Sequence, residues 1–363
     1  MVTTQDLTKG MDYRNQEYRR EVFQRFYEFH LKYRSHPGIV YSLMPYLAEA
    51  EGWDQEQKLW FAYLNGNTQN PVTSYILIKR YPRLQDLDIE QLEEWFYTPK
   101  VYSNLQWDTD RRYHKKSFVE HVRNYRQIVG SDQQGYFSLF ERYSETANFI
   151  GLWEAIRGDF LSFGRLSAFS YMEYLRIMGI KVNCDRLFLE DMQGSMSHRN
   201  GLAKVLGKDE WDWHKSNPSF TGEYSDSDLA LLTYQGESLL KEAQSRAVGK
   251  DWAFDVNYFT LESALCTYKS WHRPNRRYPN VYNDMLHTRI KWAEERWLRP
   301  KLNIFWDARK ATLPPNLRIE DNPLDVGCKP LKQNHYRLTG EVIMMEKDWS
   351  CFDNEYSRRR ITA

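Results

Sequence analysis

Between Lys58 and Ser74 the chain reads Lys-Leu-Trp-Phe-Ala-Tyr-Leu-Asn-Gly-Asn-Thr-Gln-Asn-Pro-Val-Thr-Ser. Asn65, Asn67, Thr68, Gln69 and Asn70 place five polar side chains in six positions, around Gly66. A carboxamide carries paired donors and acceptors, so it can read a nucleobase edge or a polar metabolite. The plainer role for such residues is capping, at the end of one helix and the start of the next. One or two amides meet that need, and this stretch holds more. It is therefore a candidate ligand wall, set at a helix–turn–helix corner with apolar residues on both sides. Gly66 is expected to bend the chain, and Pro71 fits the first turn of the helix that follows.

A second stretch, Leu161-Ser-Phe-Gly164-Arg165-Leu-Ser167-Ala168-Phe-Ser-Tyr171-Met-Glu173-Tyr174, reads as a helix end, a turn at Gly164 and a new helix with a small-residue face. Such a hairpin offers backbone N–H groups to a phosphate; taken alone it is an ordinary αα-corner. Asp185 follows Ala168 at 17 residues (185 − 168 = 17). An acidic group there can face the hairpin across a cleft, or cap a helix running from Arg186 to Met192. A third stretch gathers Arg111, Arg112, Lys115, Lys116, Arg123 and Arg126, with Tyr113, His114, His121 and Tyr125 interleaved. It reads first as a solvated helix face and second as a phosphate-contacting one. His198-Arg199-Asn200-Gly201 is a further polar cluster whose histidine reads as structural.

The elements that must position these residues are helical. Val22, Phe23, Phe26, Tyr27, Phe29 and His30 form a helical stripe within residues 11–34, ended by Arg34-Ser-His36-Pro37-Gly38. Further helices are expected from Ile39 to Ala50, after the N-cap Asp54, after Asp88, from Tyr136 to Met178, and at about 227–247, 255–270 and 280–298. Beyond Pro300 the pattern breaks at Pro314-Pro315, Pro323 and Pro330, with a short strand expected at 341–346. The expected fold is mainly α: a two-lobed helical domain over 1–300 and an irregular C-terminal extension over 301–363.

Composition narrows the classes. The 363 residues suffice for a large core, and aromatic content is high at 15%, in a polar chain with mean hydropathy −0.74. Rings beside basic residues suit base stacking. Net charge is only +1, from 50 basic and 49 acidic residues, so any nucleic-acid surface is a local patch. Cys184, Cys266, Cys328 and Cys351 have no CxxC and no zinc-ligand spacing, and read as reduced thiols. No apolar run approaches the ~20 residues of a membrane span, and the first residues are no signal peptide. There is no phosphate-loop, dinucleotide or HExxH motif, so no cofactor and no metal is expected.

Gly164-Arg165-Leu-Ser167-Ala168 followed by Asp185 resembles the helix-hairpin-helix DNA glycosylases, with one hairpin glycine where that family usually has two. The stretch 58–74, together with His36-Pro37-Gly38-Ile-Val-Tyr41-Ser-Leu-Met-Pro45-Tyr, resembles the bacteriophage amino acid:DNA transferases. These are also described as α-glutamyl/putrescinyl thymine pyrophosphorylases and regarded as offshoots of the glycosylase fold. Arg276-Arg277-Tyr278-Pro279-Asn280-Val281-Tyr282, after Glu262-Ser-Ala-Leu-Cys266-Thr-Tyr-Lys269, is similar to the same family. The resemblance covers about residues 20–300, in blocks.

What it implies is a glycosylase-like helical fold and thymine hypermodification in the cytoplasm of an infected bacterial host. The partners implied are DNA carrying pyrophosphorylated 5-hydroxymethyluracil and a free amino acid, which displaces pyrophosphate from the exocyclic methylene. On this reading Asp185 is catalytic, either stabilising positive charge on the methylene or acting as general base. Asn65, Asn67, Thr68, Gln69 and Asn70 line the base or amino-acid pocket. Arg165, Lys269, Arg276 and Arg277 neutralise pyrophosphate, with Arg34, Glu173 and Tyr278 completing the substrate-binding set. Two other readings use the same scaffold: a glycosylase excising a modified thymine, and a DNA-binding protein without catalysis.

Overall fold

The computed structural model describes residues 16–32, 38–191, 196–212, 224–269, 281–296 and 302–312, and among these the chain is helical with no strand. The helices are α1 (Gln16–Lys32), α2 (Gly38–Ala50), α3 (Gln55–Thr68), α4 (Pro71–Arg80), α5 (Ile89–Phe96), α6 (Pro99–Asn104), α7 (Arg112–Lys116) and α8 (Phe118–Val129). They continue as α9 (Gln133–Ser138), α10 (Glu145–Asp159), α11 (Arg165–Ile177), α12 (Met196–Val205), α13 (Asp226–Ala247), α14 (Tyr258–Tyr268), α15 (Val281–Arg296) and α16 (Asn303–Thr312). The mainly α expectation therefore holds. Arg34, Arg276, Arg277, Tyr278 and the strand expected at 341–346 lie outside the described residues.

The described residues fall into two compact units. One comprises Ser42–Asp185 and Thr288–Ala308 and is built around α3. Asp54 starts this helix with a reciprocal cap: its carboxylate accepts from Gln57 N, and the Gln57 side chain accepts from Asp54 N. Every residue from Leu59 to Thr68 is buried, as expected of a helix wrapped on all sides by others. Helices α4, α7, α9 and α11 pack against it. Its aromatic side chains form the core: the rings of Tyr63 and Tyr125 stack with centroids 3.6 Å apart, and Tyr171 meets Tyr63 edge-on at 5.9 Å. Each such ring pair adds about 0.5–1.5 kcal/mol beyond the area it buries.

The polar corner differs from expectation in one respect. Gly66 does not bend the chain, because α3 runs straight through it to Thr68. Gly66 instead lets α11 approach: a Cβ there would lie 3.1 Å from the Tyr171 ring. The turn falls at Gln69, which adopts the left-handed conformation (φ 47°) and donates its N–H to the Asn65 carbonyl at 2.8 Å. Asn70 then caps α4, accepting from Val72 N and Thr73 N, with Pro71 in the first turn.

Helix α10, residues 160–164 and α11 form the hairpin expected around Gly164. Phe160 and Phe163 fold inward onto the Tyr63–Tyr125 stack, while Asn124 of α8 brackets the turn, donating to the Asp159 carbonyl and accepting from Leu161 N. Two expectations fail nearby. No helix begins at Arg186; the chain from Ile180 to Leu189 is irregular, so Asp185 is not an N-cap. Past Pro300 the chain is helical again in α16, where Phe305 packs edge-on against Tyr75 at 5.3 Å.

The other unit comprises the described residues of Met1–Tyr41, Arg186–His287 and Arg309–Ala363. Helix α1 buries Val22, Phe23, Phe26, Tyr27 and Leu31, with Phe23 edge-on to Tyr268 of α14 at 5.2 Å. Helices α12 and α14 pack closely at Gly201, where a Cβ would lie 2.0 Å from the Leu265 carbonyl oxygen. Only glycine permits that approach.

Candidate active site

In the unit built on α3, the amide stretch, the basic stripe and the hairpin meet in one buried network. Asn67 reaches it because α3 points that side chain toward α7 and α8. Its Oδ1 lies 3.1 Å from His114 Nδ1 and 2.8 Å from His121 Nδ1. His114 Nε2 lies 3.4 Å from Ser167 Oγ, in the first turn of α11, and Ser167 Oγ lies 3.3 Å from the Tyr113 hydroxyl. Tyr63 closes the floor, donating its hydroxyl to the His121 carbonyl at 2.6 Å. The Asn67 Nδ2 atom is buried and has no hydrogen-bond partner.

Both imidazoles are neutral at physiological pH. Burial, then repulsion from His121 when that ring is protonated and from the Arg111 cation, push His114 down to about 3. Burial pushes His121 down to about 4. A neutral imidazole carries one N–H, and an amide oxygen only accepts. Each Nδ1 is therefore the protonated nitrogen, and His114 Nε2 is a bare acceptor.

Arg111 lies beneath this network and is fully buried. Its Nε donates to the Gly66 carbonyl at 3.1 Å; its Nη2 donates to the Leu166 carbonyl at 3.1 Å and to Ser170 Oγ at 3.3 Å. Its Nη1 donates to the Asp110 carbonyl at 3.4 Å. All these acceptors are neutral, and burial lowers the guanidinium's affinity for its proton. The basic stripe is thus no uniformly solvated face. Its chain splits into a 3-10 turn (Thr109–Arg111), α7 and α8, and Arg111, His114 and His121 turn inward. Tyr113 stays more than half exposed.

The remaining amide residues divide by role. Thr68 and Asn70 tie the corner together: Thr68 Oγ1 lies 2.7 Å from Ser74 Oγ, and Asn70 Nδ2 donates to the Gln106 carbonyl at 2.9 Å. Asn65 is buried against Met44, with its Oδ1 unpartnered. Gln69 also keeps a buried, unpartnered Oε1, while its carbonyl accepts from Arg289 at 3.3 Å. Arg289 is ion-paired to Asp108, and burial lowers it to about 10.

Arg165 opens α11 directly after Gly164, and no side chain caps this helix. The Arg165 guanidinium lies over the Phe169 ring, 5.1 Å from its centroid, and the residue is largely buried. Glu173 is buried further along α11. Asp185 is half-buried in the irregular segment after α11. That segment is pinned to both hairpin helices just before it: Asn183 N donates to the Glu145 carbonyl at 3.0 Å, and Arg176 Nη1 donates to the Val182 carbonyl at 3.0 Å.

Lys269 belongs to the other unit, at the end of α14, and donates to Ser197 Oγ. Near it in sequence, His198 Nδ1 lies 3.1 Å from Glu262 Oε1, His198 Nε2 donates to the Leu187 carbonyl at 2.7 Å, and Arg199 donates to the Leu189 carbonyl at 2.9 Å. The histidine expected to be structural does hold backbone here.

Sequence reasoning passed over His114, His121, Tyr113 and Arg111 as site residues. The signal was present in the spacing: His114 and His121 are seven apart, two helical turns, and flank the break at Ser117 that lets both reach Asn67. No group of His, Cys, Asp or Glu among the described residues is arranged to hold a metal ion, and no described helix is long and apolar enough to cross a membrane.

A family model described as amino acid:DNA transferase matches residues 36–277. A relative named serinyltransferase, from Salmonella phage ViI, is 26% identical over 328 residues, covering 86% of this chain and 78% of the relative. No solved structure matches.

Proposed function

The chain belongs to the amino acid:DNA transferase family, and from that premise we propose that it joins an amino acid to pyrophosphorylated 5-hydroxymethyluracil in phage DNA, displacing pyrophosphate. In this reaction the nucleophile's lone pair forms a bond to the exocyclic methylene as the bond from that carbon to the pyrophosphate oxygen breaks. Pyrophosphate departs with the electron pair, and the nucleophile gives up one proton. The base must leave the stack for the methylene to be reached. The protein would work in the cytoplasm of the infected host, where the DNA substrate is made.

The observation that carries this reading is the convergence at the first turn of α11. Gly164 leaves that turn without a side-chain cap, Arg165 opens it, and Ser167 hangs from the Asn67–His114 network. An uncapped helix start with an arginine suits a polyphosphate leaving group. The buried Arg111 beneath it adds positive charge, its hydrogen bonds going to neutral acceptors. Asp185, held by the pinning of residues 182 and 183 to α10 and α11, is the acid we assign to the methylene or to the incoming nucleophile. Gln69 and Asn65, with their unpartnered amide oxygens, are assigned to the uracil edge or the amino acid. The hairpin is the element this reading shares with helix-hairpin-helix glycosylases.

The name of the phage relative makes serine the first amino acid to try. The test is incubation of DNA carrying the pyrophosphorylated base with the protein and isotope-labelled amino acids, offered singly. The expected result is label in DNA and free pyrophosphate in equal amounts with one amino acid. Pyrophosphate without label, or abasic sites, would reject the transfer.

A further inference from the structure

The hydrogen-bond network has a direction. Asn67 Oδ1 accepts from His114 Nδ1, which leaves His114 Nε2 without a proton. The Ser167 hydroxyl, 3.4 Å away, is then the donor of that pair. A serine has a single O–H. Its contact with Tyr113 at 3.3 Å is therefore donated by the phenol. The proton of Tyr113 is turned inward, and the oxygen presents only lone pairs to the outside. Tyr113 is also the exposed end of the network: 54% of its surface is open, whereas Asn67, His114 and Ser167 are buried.

We propose that Tyr113 orients the attacking group of the amino acid, its phenol oxygen accepting the hydrogen carried by that nitrogen or oxygen. This rests on the transfer reading above. The argument is one of lone pairs. A nucleophile attacks with a lone pair, so a neighbouring O–H donated to that lone pair would disable it. A phenol whose proton is committed to Ser167 cannot do so. It can only accept the nucleophile's own hydrogen, which leaves the lone pair free to face the methylene. The depressed basicity of His114 keeps this direction fixed across physiological pH. Asn67 and His114 act through Ser167 as positioning residues, while Tyr113 touches the substrate. Tyr113 itself takes up no proton in the step; the proton released after bond formation passes to Asp185 or to solvent.

The test uses steady-state kinetics on pyrophosphorylated DNA with the amino acid that the wild-type protein transfers. Tyr113→Phe keeps the ring at an exposed position. It is expected to raise the KM for the amino acid about five- to tenfold, the size of one neutral hydrogen bond, with the KM for DNA unchanged. Ser167→Ala keeps the phenol but frees its proton to turn outward. It is expected to lower kcat by a similar factor while leaving the amino-acid KM unchanged, because binding persists in an unproductive form. A circular dichroism melt confirms that both variants fold. A rise in the DNA KM for Tyr113→Phe would place the phenol on the base and overturn the proposal, as would wild-type kinetics in both variants. A wild-type protein that releases no pyrophosphate would sink the transfer reading and this proposal together; active wild type with an indifferent Tyr113→Phe would sink this proposal alone.

Discussion

Arg111 donates its Nε–H to the Gly66 carbonyl at 3.1 Å and its Nη2–H to the Leu166 carbonyl at the same distance, so one guanidinium ties the end of α3 to the first turn of α11. Removing it takes a charged donor from the buried Gly66 carbonyl, while the Leu166 carbonyl keeps the Ser170 hydroxyl at 3.1 Å. Arg111→Met is expected to lower unfolding stability by about 3 kcal/mol, from the lost charge-assisted hydrogen bonds. Arg111→Lys is expected to restore little, because one ammonium cannot span both carbonyls. Urea denaturation of both variants checks this; full rescue by lysine would show that charge alone matters.

The neutral histidines make stability depend on pH. Folding lowers His114 from 6.5 to about 3 and His121 from 6.5 to about 4. Between those values the unfolded chain binds protons that the folded chain refuses. Stability is therefore complete above about pH 6.5 and falls as the pH drops, by on the order of 4 kcal/mol at about pH 5 for the pair. Carboxylates held low by ion pairs, such as Asp209 at about 2, add to the loss only below about pH 5, so the upper part of the window belongs to the histidines. Denaturant unfolding at several pH values is expected to show the slope, flattened in a His114→Gln/His121→Gln variant. An equal slope in that variant would assign the effect elsewhere.

The helices were legible because their signals are local. Asp54, Asp88 and Pro71 mark helix starts by chemistry that depends on the next few residues only. The hairpin at Gly164 was legible for the same reason. The network was not, because its members are spread over α3, α7, α8 and α11, from Asn67 to Ser167. Arg111, His114 and His121 looked like a solvated stripe, since basic and aromatic residues in alternation carry no sign of which face turns inward. The polar corner misled in a related way. Amides clustered beside a glycine suggest a loop, but here they continue a buried helix, and packing against Tyr171 decides that Gly66 stays helical. Asp185 stood out by its distance from the hairpin. Its anchoring through Asn183 and Val182 involves backbone groups that no sequence pattern displays.

Gly164 separates stability from activity. It opens α11 with φ −69°, a conformation any residue adopts, and a Cβ there would meet nothing within 4 Å. Gly164→Ser is expected to cap α11 and stabilise the protein by roughly a few tenths of a kcal/mol. The same hydroxyl would occupy the N–H groups assigned to pyrophosphate, so the transfer rate is expected to fall. Thermal melts and turnover of one preparation check both halves. A stabilised variant with unchanged rate would remove the first turn of α11 from the anion site.

Asp185→Asn is expected to abolish transfer while leaving DNA binding largely intact, since the side chain is half-buried in an irregular segment held by its backbone. Gel-shift affinity beside pyrophosphate release gives the comparison. Retained turnover would dismiss Asp185 as the catalytic acid and move the role to another group near the hairpin.

The most direct measurement of the central claim is the mass of the nucleosides. DNA carrying pyrophosphorylated hydroxymethyluracil would be treated with the protein and serine, digested to nucleosides and read by mass spectrometry. The account predicts a new thymidine-derived nucleoside whose mass equals hydroxymethyldeoxyuridine plus the amino acid less one water, with the pyrophosphorylated nucleoside consumed. Recovery of unmodified hydroxymethyldeoxyuridine with every amino acid tried, or loss of the base from the sugar, would contradict it.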